Sequence, residues 1–179
     1  MNISFRIYPV GTGLLSEAER SQIAEWHEAE FSHLPVTKKY EWTVGGDYNI
    51  LLDVNGEFVG YVGVMRREIL LDSQQRLIAA VRGLVIDPQW RSQGLGMLLM
   101  KEAHKVIFST LKVEYGVLLC LDELVPFYRT LGWQTLACQV FVENQGRKVP
   151  WSEMAMILTP GEEVEVKEIS EVDLMGKAF

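Results

Sequence analysis

The stretch "VIDPQWRSQGLGMLLM", Val85 to Met100, decides how the rest of the chain reads. An apolar run stops at Asp87-Pro88, a polar turn carries Arg91, Gly94 and Gly96, and helix-like apolar spacing follows. A helix N-terminus leaves backbone N–H groups unpaired and carries partial positive charge. Glycines let those groups approach an anion with no Cβ in the way. Arg91 adds a full charge, so residues 91–97 can cradle a phosphate or pyrophosphate. The competing reading is a strand-to-helix turn that merely contains glycine. A dinucleotide fingerprint would need glycine where Leu99 stands, near the first strand of the chain. Glu114 precedes the next strand, whereas a ribose-binding acid should follow one. A phosphate loop of the Walker type would need Gly-Lys-Ser/Thr, which is absent.

Working outward on the N-terminal side, residues 3–10 read as a strand. Residues 16–33 read as a helix opened by the capping box Ser16 and Glu19. A shorter helix or turn follows Pro35. "YNILLDVNGEFVGYVGVMRREILL" is two strands joined at Asn55-Gly56. "RLIAAVRGLVI" is a third, antiparallel to the second across the turn Asp72–Gln75.

On the C-terminal side a helix is predicted over 95–111, with Leu95, Leu98, Leu99, Val106, Ile107 and Leu111 at helical spacing. "YGVLLCL" is a buried strand, and residues 123–131 form a short helix ending at Gly132. "WQTLACQVFVE" and "WSEMAMILT" are two closing strands. The crossover helix makes strands 77–86 and 115–121 parallel, while the hairpins are antiparallel. The fold class is therefore mixed α/β (α+β), a mostly antiparallel sheet of about seven strands with helices on both faces. Residues 1–160 make one domain. Residues 161–179 read as an acidic polar tail or a weak extra strand.

Composition narrows the function. The 179 residues are 48% hydrophobic and 23% charged, which fits a folded domain with its own core. Net charge is −7; six acids and two lysines give −4 over 161–179, leaving −3 for the rest. No basic stripe points to nucleic acid. Apolar runs are too short for a membrane span, and Arg6 interrupts the N-terminal apolar residues where a signal peptide would run. Two cysteines, Cys120 and Cys138, form neither a disulfide framework nor a metal pair. A cytoplasmic location with reduced thiols, and no metal, is expected.

"VIDPQWRSQGLG" resembles the acetyl-CoA motif of the GCN5-related N-acetyltransferases, Arg/Gln-x-x-Gly-x-Gly/Ala, as Arg91-x-x-Gly94-x-Gly96. Pro88 and Trp90 ahead of it are also usual there. "FYRTLGW" is similar to the family's second hallmark, and the element order matches its fold along nearly the whole chain. The resemblance implies an N-acetyltransferase that uses acetyl-CoA and a small-molecule amine. Amides of Ser92, Gln93, Gly94, Leu95, Gly96 and Met97 would hold the diphosphate, with Arg91 adding its charge. The strand at Leu84, Val85 and Ile86 would splay at a bulge near Gly83, and its free backbone would pair with the pantetheine arm. Tyr128 stands where the family usually keeps its general acid. The family often dimerises through C-terminal strands, so a homodimer is possible on this reading.

Arg66-Arg67, "DPQWR" and "YRTLGW" are locally most similar to the aminoglycoside 2'-N-acetyltransferase branch. That branch keeps a glutamate where Arg82 stands and an acid where Leu34 stands. Arg82 facing the acceptor would repel an ammonium and attract a carboxylate or phosphate. Alternatively it turns away and pairs with Glu68 or Asp122. Arg82, Gly83 and Asp122 are the acceptor-side candidates. Asp122 and Glu123 are substitute bases or simply acids at a helix start; His27 and His33 flank the expected acceptor mouth, and His104 reads as structural. Trp26, Tyr40 and Trp42 are a lid or core anchors. The alternatives to an acetyltransferase of a small amine are an aminoglycoside enzyme with an altered site and a non-catalytic acyl-CoA-binding module.

Overall fold

The fold is built on β3, Glu57–Leu71, a strand long enough to serve three neighbours in a computed structural model that describes residues 1–160 and 169–179. Along one edge β3 pairs with β4, Gln74–Ile86. Along the other it pairs first with β2, Tyr48–Val54, and then with a short β10, Glu171–Asp173. The β2–β3 turn is Asn55-Gly56 and the β3–β4 turn is Asp72-Ser73, each with positive φ at both residues. Such mirror-image turns match the twist of paired strands, which is why the hairpins close in two residues.

β1, Ile3–Pro9, pairs antiparallel with β2. β5, Tyr115–Cys120, lies parallel to β4, as the helical crossover requires. β9, Met154–Leu158, and the two-residue β6, Gln134–Thr135, complete that side. Beyond β10 on the other side lie β7, Gln139–Asn144, and β8, Arg147–Pro150. The sheet thus has ten strands among the described residues, against about seven expected.

Three differences account for the count, one of them the short strand β8, which was not expected. The stretch expected as one closing strand, "WQTLACQVFVE", breaks after Thr135, and its second half crosses to the far side of the sheet as β7. Leu136, Val140 and Val142 then bury against Ile78, Val117 and Ile157. A continuous strand would have left that face of the sheet open to water. The expected acidic tail also needs correcting. Residues 161–168 lie outside the described residues, but from Ile169 the chain returns to the sheet, and Val172 and Leu174 are fully buried between β3 and β7. Val172 and Leu174, with Ala178 and Phe179 buried behind them, were enough once a strand edge was there to accept them.

The helices cover both faces. α1, Glu17–Phe31, starts at the capping box Ser16–Glu19, and Arg6 ties its first turn to the buried Asp53 of β2. Burial pushes the Glu19 carboxyl up, but hydrogen bonds from Ser16 and Arg6 outweigh it and leave it below the usual carboxylate range. α2 is Pro35–Lys39. On the opposite face lies α3, Leu95–Lys105, which runs on as a wider π-helical turn over Val106–Leu111 where an unbroken α-helix was expected. Leu95, Leu99, Met100 and Ala103 of α3 meet Val62, Val64, Ala79 and Val81 in the main core. A short 3₁₀ turn, Asp122–Leu124, leads into α4, Val125–Arg129. His104 on α3 accepts a hydrogen bond from the Trp133 indole at 3.0 Å, and burial, helped by Lys101, pushes its pKa down to about 4.

Candidate active site

Neighbouring strands β4 and β5 share only four register positions, ending at Val81 opposite Leu118. Past that point β4 follows β3 and β5 follows β9, so the two part. The cause is local. Gly83 has φ +60°, and Gly83 and Leu84 together face the single residue Val62, which is a bulge. The extra residue resets the alternation of the strand. Leu84 and Ile86 turn toward the main core, while Val85 packs under α1 against Trp26 and Tyr61.

His27 of α1 donates its Nε2 proton to the Gly83 carbonyl at 3.0 Å. A Cβ at position 83 would lie 2.7 Å from that nitrogen, so glycine is needed both for the backbone angle and for the seat of α1. Burial pushes the His27 pKa down; the Gly83 carbonyl opposes this and the Arg82 charge adds to it.

The parted strands open into a cavity of ≈ 270 Å³. Its floor is Leu118 to Cys120 of β5, Leu121 just beyond it and the Tyr128 ring. Tyr128 is buried on α4, and the rings of Phe127 and Trp133 stand edge-on to it at 5.0 and 6.3 Å. Its hydroxyl has no hydrogen-bond partner among the described residues, yet it is not sealed off, since no buried side-chain N or O atom among them lacks a partner. Burial, and then the neighbouring Cys120 thiol, push the phenol above its ordinary pKa, so it carries its proton at neutral pH. Cys120 is itself raised to about 11 by burial and by the Asp122 charge, so it packs as a thiol rather than reacting as a thiolate.

At the outer end of β4 lies the glycine turn. Residues 91–94 are exposed, Ser92 and Gly94 both have positive φ (62° and 76°), and α3 starts at Leu95 with no side-chain cap. Left-handed residues in such a turn aim successive N–H groups at one side, and the first turn of α3 adds its own free amides. The side chains of Leu95 and Met97 go to the core, so what this loop offers a ligand is backbone. A Cβ at Gly96 would touch the Phe127 ring at 3.7 Å and Ile86 at 3.8 Å, in ordinary contact, so here glycine mainly keeps the helix start close to the strand.

The donor set fits a thioester carrier with a diphosphate: uncapped amides over 92–97, and beside them the β4 edge past Val81, which no described strand pairs on the β5 side. Arg91 is turned otherwise than expected. Its Nε donates to the Ile86 carbonyl at 2.9 Å, and its guanidinium pairs with Glu30 of α1. It therefore bridges α1 to the end of β4 across the mouth of that edge.

A family model described as an acetyltransferase (GNAT) domain matches residues 14–158. The chain belongs to the GNAT acetyltransferases. Among solved structures, this GNAT enzyme is similar to ElaA of Escherichia coli, with 17% identity, 88% of this chain and 99% of that chain covered, and a TM-score of 0.62. An acyl-CoA N-acyltransferase from Pseudomonas aeruginosa matches at 14% identity over 88% of this chain and 100% of its own, also at 0.62. A putative N-acetyltransferase from Lactobacillus plantarum matches at 12% identity, 88% and 97% coverage, and 0.57. At such identities the likeness is one of fold, a mixed sheet with a mostly antiparallel strand order. Membership of the family makes the GNAT protein an acyltransferase, and acyl-CoA is the family's acyl source.

The other residues singled out from sequence fall on either side of the cavity wall. Arg82 lines it, with one guanidinium nitrogen donating to the Gly45 carbonyl at 2.5 Å, and it pairs with neither Glu68 nor Asp122. Leu34 and Trp42 line it too, Trp42 standing edge-on to Trp151 at 5.9 Å. Trp26 and Tyr40 are core anchors, the Tyr40 hydroxyl donating to the Pro150 carbonyl at 2.9 Å. Asp122 and Glu123 are exposed in the 3₁₀ turn, outside the cavity lining, and His33 is exposed as well. Sequence reasoning missed Glu153 and Phe179, which both line the cavity. Glu153 carried no motif; its one signal was its place just before a strand that pairs with β5. Among the described residues no helix is long and apolar enough to cross a membrane, and no cluster has the makings of a metal site.

Proposed function

We propose that this enzyme transfers an acetyl group from acetyl-CoA to the amine of a small molecule by direct attack on the thioester, with Tyr128 as general acid. The observation that carries the reading is the buried Tyr128 phenol, protonated and without a hydrogen-bond partner among the described residues, at the floor of the gap between β4 and β5. Bound acetyl-CoA supplies an activated acyl group and a thiolate leaving group. The amides of residues 92–97 would hold its diphosphate, and the β4 edge at Leu84–Ile86 its pantetheine arm. The cavity then admits an amine from the side of α1 and α2.

In the reaction the new bond joins the acceptor nitrogen to the carbonyl carbon, and the carbon–sulfur bond breaks. Tyr128 gives its proton to the departing sulfur. The proton lost from nitrogen returns to the phenolate through solvent, so the products are an amide and free thiol. A backbone N–H near Ile86 is suited to polarise the carbonyl, by the logic of an oxyanion hole. General acid catalysis of this kind contributes roughly 10²- to 10⁴-fold.

Arg82 and Leu34 in the cavity wall weigh against a polycationic aminoglycoside, since they stand at the two positions where the aminoglycoside branch keeps carboxylates. The test is to mix protein, acetyl-CoA and a panel of primary amines and to follow thiol release. Thiol release with amide formation supports transfer. Tight coenzyme A binding with no thiol release from any amine would instead leave an acyl-CoA-binding module.

A further inference from the structure

Two charged side chains of opposite sign line the cavity, and neither is neutralised by a partner of the other sign. Arg82 sits on β4 just past the point where β4 and β5 separate, and its guanidinium donates to a neutral carbonyl, that of Gly45. Glu153 immediately precedes β9, beyond the end of β5, and accepts only from the neighbouring Ser152 hydroxyl at 3.1 Å. Neither forms an ion pair with a described residue, and they do not pair with each other. The third titratable group on the acceptor side, His27, is kept neutral at neutral pH by burial. Arg82 and Glu153 therefore flank the end of β5 from the strands on its two sides.

The wall between the two charges is apolar. Phe31, Leu34 and Trp42 come from the α1–α2 side, Leu119 from β5 and Leu121 from just past its end, and Phe179 from the C-terminus, which packs in the same cluster as Leu34 and Trp42. At ≈ 270 Å³ the cavity is at the small end for ligand pockets, which are typically about 300–1,000 Å³. A molecule that fills it without stranding either charge must present a cation to Glu153, an anion to Arg82 and an apolar body between them.

We infer that the acceptor is a small apolar amine that also carries a carboxylate, of the chemical class of a free apolar amino acid, with Arg82 binding the carboxylate and Glu153 receiving the amine. The inference rests on the acetyl-transfer reading for the identity of the reacting group, but its recognition component stands on binding alone. Glu153 binds the ammonium form and accepts the proton that must leave before the nitrogen can attack. That proton passes to the carboxylate and then to solvent, so nothing beyond amine and thioester is consumed. Arg82 offers a planar fork matched to a carboxylate, which a decarboxylated analogue leaves unused.

The experiment uses the full chain saturated with coenzyme A. Leucine, methionine and phenylalanine are titrated in by calorimetry, each beside the amine it becomes on decarboxylation. Thiol release is followed for the same pairs with acetyl-CoA. The expected result is that at least one amino acid binds about tenfold or more tightly than its decarboxylated partner. Arg82→Gln should bring that ratio to within about threefold, and Arg82→Lys should retain part of it. Glu153→Gln should weaken both members of a pair alike and lower the rate of thiol release with each. Equal binding of every pair, no binding of any amino acid, or a ratio untouched by Arg82→Gln in a protein that melts like the wild type overturns the inference. Discriminating binding with no thiol release overturns the transfer reading instead. Thiol release without discrimination overturns this one alone.

Discussion

The glycine turn over 91–97 and the cavity between β4 and β5 lie at opposite ends of the same gap, yet they are made differently. The turn is a backbone device. Apart from Arg91, held by Ile86 and Glu30, its side chains are exposed or packed on the core, and what it presents is a run of amides shaped by left-handed residues at 92 and 94. The cavity is a side-chain device, assembled from residues as far apart as His27, Arg82, Tyr128, Glu153 and Phe179. A backbone device should tolerate side-chain changes and fail on changes of φ. A side-chain device should do the reverse.

The largest effect expected from this contrast is at Tyr128. Tyr128→Phe removes the proton donor and should lower kcat by roughly 10²- to 10⁴-fold while leaving coenzyme A affinity within about threefold. Calorimetry with coenzyme A beside a thiol-release assay checks both halves. Equal losses in the two would show that the phenol acts in binding and would blur the contrast.

Gly94→Val forces a β-branched residue to φ +76° and should weaken coenzyme A binding by about 10- to 100-fold, the worth of about 1–3 kcal/mol of backbone strain. Gln93→Ala, next to it, should change binding by less than about twofold, because that exposed side chain is not what the loop presents. A large loss in Gln93→Ala would break the backbone account of the turn.

A smaller effect concerns Arg91, which spans the two regions. Glu30→Ala frees its guanidinium from α1 and should tighten coenzyme A binding by about two- to fivefold at low salt, with the gain shrinking as salt rises. No change, or weaker binding, would mean that the Arg91–Glu30 pair orders the turn rather than competing for it.

The last prediction separates the acceptor wall from the scaffold by pH. His104 has a folded pKa of about 4, below its unfolded value, so between those values the unfolded chain binds more protons. The stability held above the unfolded histidine range should therefore fall as pH drops toward 4. His27, also pushed below its usual value, works in the same direction. His104→Gln should flatten that part of the melting-temperature profile without altering acceptor preference; an unchanged slope would remove His104 as its source.

What was legible in the sequence was what short spacing encodes. Asn55-Gly56 fixed one hairpin, because residues tolerant of positive φ close it in two steps; the next turn was expected over Asp72–Gln75, but only Asp72 and Ser73 form it, and Gln74 and Gln75 already pair in β4. Ser16 and Glu19 fixed the start of α1 through a bond network three residues long. Gly83 marked the bulge, and Arg91, Gly94 and Gly96 marked the turn, because a backbone angle or an exposed amide is a property of a few consecutive residues. Tertiary structure decided the rest. The closing strand broke at Thr135 because an open face of the sheet elsewhere could bury Val140 and Val142. Residues 169–179, acidic by composition, became part of the sheet because β3 left an edge beside β7 that Val172 could fill. Arg82 faces a cavity rather than an acid, and Glu153 shares that cavity, because strands distant in sequence meet around the end of β5. Local conformation is written in neighbouring residues, whereas the charge pattern of a cavity exists only after the chain has brought its distant parts together.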